Sequence, residues 1–313
     1  MTSYLRSPLV EAAGLVKDYD GLRAVDGLSF CLYPGEIYGF LGPNGSGKST
    51  TILMMLGLTE PSDGTIQVFG YDPARNPIEL KKQIGYLPES VGFYGDLTGR
   101  ANMRYTGQLN KIPKDVAEAR IDALLETVEL SEAAERPVSQ YSRGMRQRLG
   151  LADVLLKEPK IVILDDPTLG LDPNGIQWLL RMIRTLSADG TTVFLASHQL
   201  HEVQLICDRV GIMSHGKMVL EGTIDSLTKG DGGSGFLTTL EAIGDGLDVA
   251  GTFESLDGVK SVKPSGTALM IESERDVRAE LVAAAVGLGA AVTSVTSENQ
   301  SLQDIYLRYF QTD

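Results

Sequence analysis

A glycine-rich loop that ends in lysine, serine and threonine occupies residues 42–50. Its spacing fits the pattern G-x-x-x-x-G-K-[ST], in which glycines let backbone N–H groups turn toward an anion. A helix that begins near Lys48 would direct the positive end of its dipole at the same point. We expect Lys48 to bind the β and γ phosphates of a nucleotide, and the Ser49 hydroxyl to bind Mg²⁺. The predicted nucleotide-binding residues of the loop are Gly42, Pro43, Asn44, Gly45, Ser46, Gly47, Lys48, Ser49 and Thr50.

The segments on either side of the loop favour this interpretation over a chance glycine-rich turn. Glu36 to Leu41 is an apolar run of the kind that forms a buried strand, and Thr51 to Leu58 is an apolar helix former. The phosphate-loop pattern requires a strand before it and a helix after it. The sequence therefore predicts a phosphate-binding loop in a strand-loop-helix unit.

Two acidic residues and a histidine follow two further apolar runs. Ile161 to Leu164 is unbroken and apolar, as in a central parallel strand, and it delivers Asp165 and Asp166 at its end. Thr191 to Ser197 delivers His198 in the same way. In open α/β sheets, ligands bind outside the carboxyl ends of the strands. We therefore expect Asp165 to hold Mg²⁺, Asp166 to orient the attacking water and His198 to contact the γ phosphate.

Three other candidate site residues have a plain structural alternative. Glu89 follows the predicted strand Ile84 to Leu87 and can face the phosphate and magnesium site, or it can be an ordinary solvated carboxylate. Ser142 is a good N-cap for a helix that runs on through Leu155. The N-terminus of this helix could bind a phosphate, or Ser142 could serve only to cap the helix. Tyr19 stands in a turn between two predicted strands, where its ring can stack on adenine or pack half-buried.

Composition excludes several classes of function. The net charge of −13 and a pI near 4.8 argue against a nucleic-acid partner, because phosphate backbones are bound by clustered Lys and Arg. Cys31 and Cys207 have no metal-ligand spacing, and we interpret both as core residues in a reducing compartment. No signal peptide is predicted, and the longest apolar run, Leu281 to Val295, is too short to span a membrane. We expect a cytoplasmic chain, with another chain spanning any membrane that it serves.

The pattern along the chain predicts an α/β fold with two domains. The segments above indicate a P-loop NTPase domain over residues 1–225, with an antiparallel β layer near its start and an inserted helical lobe at about 90–158. Residues 226–235, rich in glycine, predict a linker. Residues 236–313 alternate strands and helices, which predicts a small α+β domain of the ferredoxin-like type with a last helix at Leu302 to Phe310.

The motifs resemble, in their order, the nucleotide-binding subunit of ABC transporters over roughly residues 8–225. Those that carry the resemblance are the phosphate loop, the segment Tyr141 to Met145, the strand ending at Asp165, the pair Leu171-Asp172, and His198. The resemblance implies an ATPase that takes ATP and Mg²⁺. In that family two such domains sandwich two ATP molecules head to tail, so Ser142 would contact the nucleotide bound by the other protomer. Gly144 and Asp172 are also predicted nucleotide-binding residues by this resemblance.

The resemblance also assigns roles to single residues. Tyr19 matches the aromatic that stacks on adenine, and Glu89 matches a glutamine of the magnesium shell. Asp165 matches the metal-binding aspartate, Asp166 the catalytic carboxylate and His198 the switch histidine.

The chain departs from the usual pattern of the family at three places. Glu89 replaces the glutamine, Asp166 is one methylene shorter than the usual glutamate, and the segment Tyr141 to Met145 has Arg143 where glycine is common. The first and last departures are similar to the single-domain exporters of the drug-resistance and copper-processing type. Phe93-Tyr94 and Leu97 to Arg100 also resemble the ATPase of the copper-related transporter in nitrous-oxide reductase maturation clusters.

These observations predict an ATP-binding subunit that powers a separate polytopic membrane permease from the inner face of the cell membrane. Its nucleotide-binding partner would be a second copy or a homologous subunit. Two alternatives stay open: a soluble ABC ATPase switch without transport, and a catalytically weak regulator, which the shorter Asp166 keeps open.

Overall fold

The computed structural model describes residues 7–229, 236–243, 249–265 and 268–299. The chain divides into two compact units, Met1–Glu221 and Gly222–Asp313. The first nine strands are β1 (Val10–Tyr19), β2 (Leu22–Leu32), β3 (Ile37–Leu41), β4 (Asp63–Val68), β5 (Ile84–Leu87), β6 (Ile161–Asp165), β7 (Thr192–Ser197), β8 (Arg209–Ser214) and β9 (Lys217–Thr223).

The central sheet has the strand order β5-β6-β7-β3-β8-β9, and its first five strands run parallel. Every residue of β3, β6 and β7 is buried, which explains why these strands are almost entirely apolar. The register pairs Asp165 with Ala196 and Leu41 with Ser197, so the carboxyl ends of the three strands coincide. The predicted α/β fold with a central parallel sheet is confirmed.

A second sheet, with the order β2-β1-β4, forms the predicted antiparallel layer. Asp20 and Gly21, both with positive φ, make the tight turn between β1 and β2. Four aromatic rings pack in the buried core of this unit, among them Phe40 and Phe194 with centroids 5.0 Å apart. This core fixes the strands that carry the candidate site residues.

The helices of the first unit connect the strands. They are α1 (Lys48–Met55), α2 (Pro77–Gln83), α3 (Gly99–Leu109), α4 (Lys114–Thr127), α5 (Arg143–Leu155), α6 (Pro173–Ala188) and α7 (Leu200–Ile206). Helices α3, α4 and α5 pack on one another and form the predicted helical lobe. Helices α2 and α6 are absent from the sequence-based prediction.

The prediction that a linker begins at residue 226 is wrong, because residues 226–229 belong to helix α8 (Ile224–Lys229). The Thr223 hydroxyl accepts a hydrogen bond from the Ser226 backbone N–H at 3.0 Å and so caps this helix. The rest of the predicted linker, residues 230–235, lies outside the described residues.

The second unit contains β10 (Phe236–Ile243), α9 (Val249–Glu254), β11 (Val259–Ser265), β12 (Ala268–Ser273), α10 (Arg278–Gly287) and β13 (Ala291–Asn299). Its antiparallel sheet has the order β11-β12-β10-β13, and its own core includes Leu240, Phe253 and Leu281. The β-α-β-β-α-β order is that of the ferredoxin-like arrangement. The helix predicted at Leu302 to Phe310 lies outside the described residues. Within the described part of the chain, no helix has the length and apolar character needed to cross a membrane.

Candidate active site

The glycine-rich loop lies between the end of β3 and the start of α1, as the pattern predicts. Gly45 and Gly47 have φ of 81° and 105°, a region that favours glycine. A Cβ atom on Gly47 would lie 2.4 Å from the Ala24 carbonyl oxygen, and one on Gly42 would lie 2.6 Å from the Met213 carbonyl oxygen. Gly42 is therefore required by space, Gly45 by conformation and Gly47 by both.

Lys48 is buried, and its ammonium group is held by the loop itself. Nζ donates hydrogen bonds to the carbonyl oxygens of Gly42, at 2.7 Å, and Pro43, at 3.0 Å. Burial lowers the pKa of Lys48, while the charges of Asp166 and Asp165 act in the opposite direction. The ammonium group thus lies at the mouth of the loop, where a phosphate can replace the carbonyl oxygens as its partner.

Ser49 and Asp165 form a pair of oxygen donors next to the loop. The Ser49 hydroxyl donates to the Asp165 carboxylate at 3.3 Å. Burial and the charge of Asp166 raise the pKa of Asp165. A bound cation would relieve both effects, and hard oxygen donors suit Mg²⁺. These two residues therefore fit the predicted metal, which usually keeps few protein ligands besides phosphate and water.

Tyr86 is a site residue that the sequence reasoning missed. It lies on β5 beside β6, near the Asp165 carboxylate. Burial and this carboxylate raise the pKa of Tyr86 to about 12. Glu89, two residues beyond β5, is exposed, although its charge also contributes to the raised pKa of Asp165. Across the described ranges, no group of three or more His, Cys, Asp or Glu side chains is placed to hold a metal.

Asp166 and His198 are brought together at the ends of β6 and β7. The Asp166 carboxylate oxygen Oδ1 accepts a hydrogen bond from the His198 backbone N–H at 3.1 Å and lies 2.7 Å from His198 Nδ1. The Asp166 backbone has a φ of 44° and donates to the Ala196 carbonyl oxygen. A carboxylate at Nδ1 favours the tautomer with the proton on that atom, which leaves Nε2 as an acceptor.

Ser142 and Asp172 lie at a second location, at the starts of α5 and α6. The Ser142 hydroxyl caps α5 by accepting from the Met145 N–H at 3.2 Å, and Asp172 caps α6 by accepting from the Gly175 N–H at 3.2 Å. Both residues and Gly144 line a cavity of about 670 Å³. The lining includes no residue of the phosphate loop. One chain therefore carries two separate sets of candidate nucleotide-binding residues.

Tyr19 lies at the end of β1 with 41% of its surface exposed. Lys17 Nζ lies 4.9 Å from the centroid of its ring. Tyr19 is therefore half-buried, and the exposed part of its ring leaves surface for stacking, so both interpretations stay open.

A second set of residues that the sequence reasoning missed is Thr168 and Glu202. Both are buried, and the Thr168 hydroxyl donates to the Glu202 carboxylate at 2.7 Å. Thr168 is two residues beyond Asp166, and Glu202 is four residues beyond His198. The two residues are 34 positions apart in the chain, and no local signal in the sequence could have identified the pair.

Several known proteins are similar to this chain in sequence or fold. The sequence profile of the family described as ABC transporter matches residues 25–169. The chain is 42% identical over 224 residues to the bacitracin transport ATP-binding protein BcrA of Bacillus licheniformis, covering 71% of this chain and 72% of BcrA. It is 32% identical over 309 residues to the uncharacterized ABC transporter ATP-binding protein YxlF of Bacillus subtilis (strain 168), covering 96% and 99% of the two chains. A solved structure of the ATP binding subunit of an ABC transporter has a TM-score of 0.66 at 31% identity, covering 71% of this chain and 92% of that one.

Proposed function

We propose a mechanism on the premise that this chain belongs to the ABC transporter family, in which it is an ATP-binding subunit and an ATPase. Two subunits, either two copies of this chain or one copy and a homologous subunit, would bind two Mg-ATP molecules head to tail. Their closure would drive a separate membrane permease. The observation that carries the proposal is the separation between the phosphate loop and the cavity lined by Ser142 and Asp172.

Head-to-tail pairing would make each ATP site from two chains. The phosphate loop and the ends of β6 and β7 supply Lys48, Ser49 and the acidic residues. The other chain would supply the N-terminus of α5, where Ser142 and the N–H groups beside Gly144 can bind a phosphate. Tyr19 would stack on the adenine ring, and Asp172 would hold the start of α6 at the interface.

Ser49 and Asp165 would hold the magnesium ion, and Glu89 would join its shell directly or through water. When bound, Mg²⁺ neutralises charge on the phosphate oxygens. The Tyr86 phenol, which lies near Asp165, would help to orient this carboxylate. Lys48 would exchange its two loop carbonyls for the β and γ phosphates.

Asp166 and His198 would act on the attacking water and the γ phosphate. Asp166 holds His198 through two hydrogen bonds, one to its backbone N–H and one to Nδ1 of its ring, so the Nε2 side of the ring is oriented. The Asp166 carboxylate would accept the proton of the water, directly or through His198, as a general base. The shorter side chain of aspartate would make this transfer slower than the usual glutamate would.

The membrane partner would select the cargo. The names of similar proteins concern transport of bacitracin and resistance to linearmycin and daunorubicin, which supports assigning this chain to the drug-resistance branch. Exposed apolar side chains on the helical lobe, among them Tyr94 and Tyr105 with rings 5.3 Å apart, would contact the permease at the inner face of the membrane. The alternative of a soluble ABC switch without transport is not favoured by these relatives. The acidic composition makes a nucleic-acid partner unexpected.

Solution mass with and without nucleotide tests the head-to-tail proposal. We expect the Asp166→Asn chain, in which hydrolysis is slowed, to form dimers with Mg-ATP and to be monomeric with ADP. Adding Ser142→Arg should abolish these dimers, because a bulky cation would fill the cavity at the start of α5. Thr185→Arg, an exposed position on α6 outside the cavity lining, is the matched control. Undiminished dimerisation of the Ser142→Arg variant would show that Ser142 does not lie at the interface.

A further inference from the structure

Glu202 is a buried carboxyl group that the proposed mechanism does not use. It is 4% exposed, and its Oε2 atom accepts a hydrogen bond from the Thr168 hydroxyl at 2.7 Å. Its Oε1 atom is buried and has no hydrogen-bond partner in the described part of the chain. Burial raises the pKa of this carboxyl group. Because a buried, half-satisfied carboxyl group destabilises a fold, its presence requires an explanation.

The hydrogen bonds of Glu202 join the two segments that carry Asp166 and His198. Asp166 contacts His198 directly, and two residues further on Thr168 contacts Glu202. The side-chain amide of Gln199 also donates to the Thr168 hydroxyl, at 3.4 Å. A hydroxyl group has one proton to give, so Thr168 accepts from Gln199 and donates to Glu202. The segment after β6 and helix α7 are therefore tied at two points.

Two points of attachment restrict the rotation of a helix more than one point does. Helix α7 is seven residues long, and His198 lies immediately before its N-cap. The contact between Asp166 and His198 attaches only the segment before the helix, whereas α7 itself packs on α6, β3 and β7. The buried contact one turn further along fixes its rotation, and with it the direction of the imidazole ring.

We propose that Thr168 and Glu202 are positioning residues for ATP hydrolysis, which hold the His198 ring against the Asp166 carboxylate. The inference rests on the proposed roles of Asp166 and His198. Neither Thr168 nor Glu202 needs to touch the nucleotide. Their effect reaches the reaction through the orientation of His198.

Thr168→Val tests the proposal, because valine keeps the shape of threonine and removes the hydroxyl group. We expect kcat to fall about tenfold, since misplacement of a reacting group by 1 Å can lower rates by about a hundredfold. KM and the ATP dissociation constant should stay near wild type. Thr168→Ser keeps the hydroxyl group and should restore most of the rate. A Thr168→Val chain with wild-type kcat would overturn the proposal.

A double-mutant comparison separates positioning from general stability. In a His198→Ala background, Thr168→Val should have no further effect on kcat, because the ring that it positions is gone. All rates are measured well below the thermal midpoint of each variant. If Thr168→Val lowers kcat by the same factor in both backgrounds, Thr168 does not act through His198.

Imidazole NMR signals give a readout that does not depend on activity. The chain has three histidines, so the His198 signal can be assigned by substitution. We expect Thr168→Val and Glu202→Ala to shift the Nδ1 signal of His198 and to leave that of His215 in place. An unchanged His198 signal in both variants would refute the positioning role. If the NMR signal shifts but the ATPase rate does not depend on His198, the proposed catalytic role of His198 is refuted instead.

Discussion

Replacing Asp166 with asparagine removes the charge of this residue and keeps its shape. In the structure, one oxygen of Asp166 serves both the backbone N–H and Nδ1 of His198, at 3.1 and 2.7 Å. The asparagine oxygen can accept both hydrogen bonds, so the arrangement at the ends of β6 and β7 should persist. Any loss of rate would therefore report the missing negative charge and not a displaced histidine.

The size of the effect follows from the role assigned to the carboxylate. A general base contributes about 10³ in rate at the middle of its usual range, and a carboxylate set back by about 1 Å forfeits about 10- to 100-fold of that. We therefore expect Asp166→Asn to lower kcat by about 10- to 100-fold, which corresponds to about 1.4 to 2.7 kcal/mol of transition-state stabilisation. Asp166→Glu should keep or raise kcat, because the added methylene moves the carboxylate toward the water.

Steady-state ATPase rates of the three dimers, with ATP affinity measured by calorimetry, decide between these expectations. The affinity should be similar in all three, because Asp166 is not assigned to the phosphates. Equal kcat values for wild type and Asp166→Asn would show that Asp166 is not the catalytic carboxylate. A lower kcat for Asp166→Glu than for wild type would show that the contact with His198 matters more than the reach of the carboxylate.

Three other substitutions or truncations test separate parts of the structure. Lys48→Ala should remove most ATP binding in calorimetry, because it deletes the cation at the mouth of the loop, and unchanged affinity in the folded protein would contradict the phosphate-loop assignment. Burial raises the pKa of Asp153 from 3.8 to about 6, so the folded chain retains a proton that the unfolded chain loses, and stability should fall as the pH rises through this range. Urea titrations at pH 5 and pH 8 should show that Asp153→Asn removes about 1.4 kcal/mol of this fall, whereas an equal pH dependence in both proteins would exclude Asp153 as its source. A chain ending at residue 232 should unfold cooperatively and bind ATP, because the first compact unit ends at Glu221, and a broad transition would contradict its independence.

The parts of the site that could be predicted from sequence are those in which local sequence dictates position. An unbroken apolar run predicts a central strand, and the residue after it must lie at the carboxyl edge of the sheet, which is how Asp165 and His198 were identified. The phosphate loop is contiguous, and its glycines are required by backbone conformation and space. The N-cap of α5 is also a local signal, because the Ser142 hydroxyl accepts a hydrogen bond from a backbone N–H only three residues further on.

The missed residues depend on contacts between distant segments. Tyr86 lies near Asp165 of the neighbouring strand. The Thr168 hydroxyl donates to Glu202, which is 34 residues away in the chain. No local pattern fixes such pairs, since they arise from strand order and helix packing. Helix α6 is a different case, because Asp172 as N-cap and Pro173 at the first position are local signals that predict it.

The separation of the phosphate loop from the cavity lined by Ser142 and Asp172 on one chain has a consequence for regulation. If neither set completes an ATP site alone, the rate of hydrolysis by the free subunit depends on how often two subunits meet, and dilute subunits consume little ATP. Two subunits held by one permease meet as parts of a single assembly, at an effective concentration of about millimolar for short connections. Assembly on the membrane would then serve as the signal that turns hydrolysis on, without any separate inhibitor.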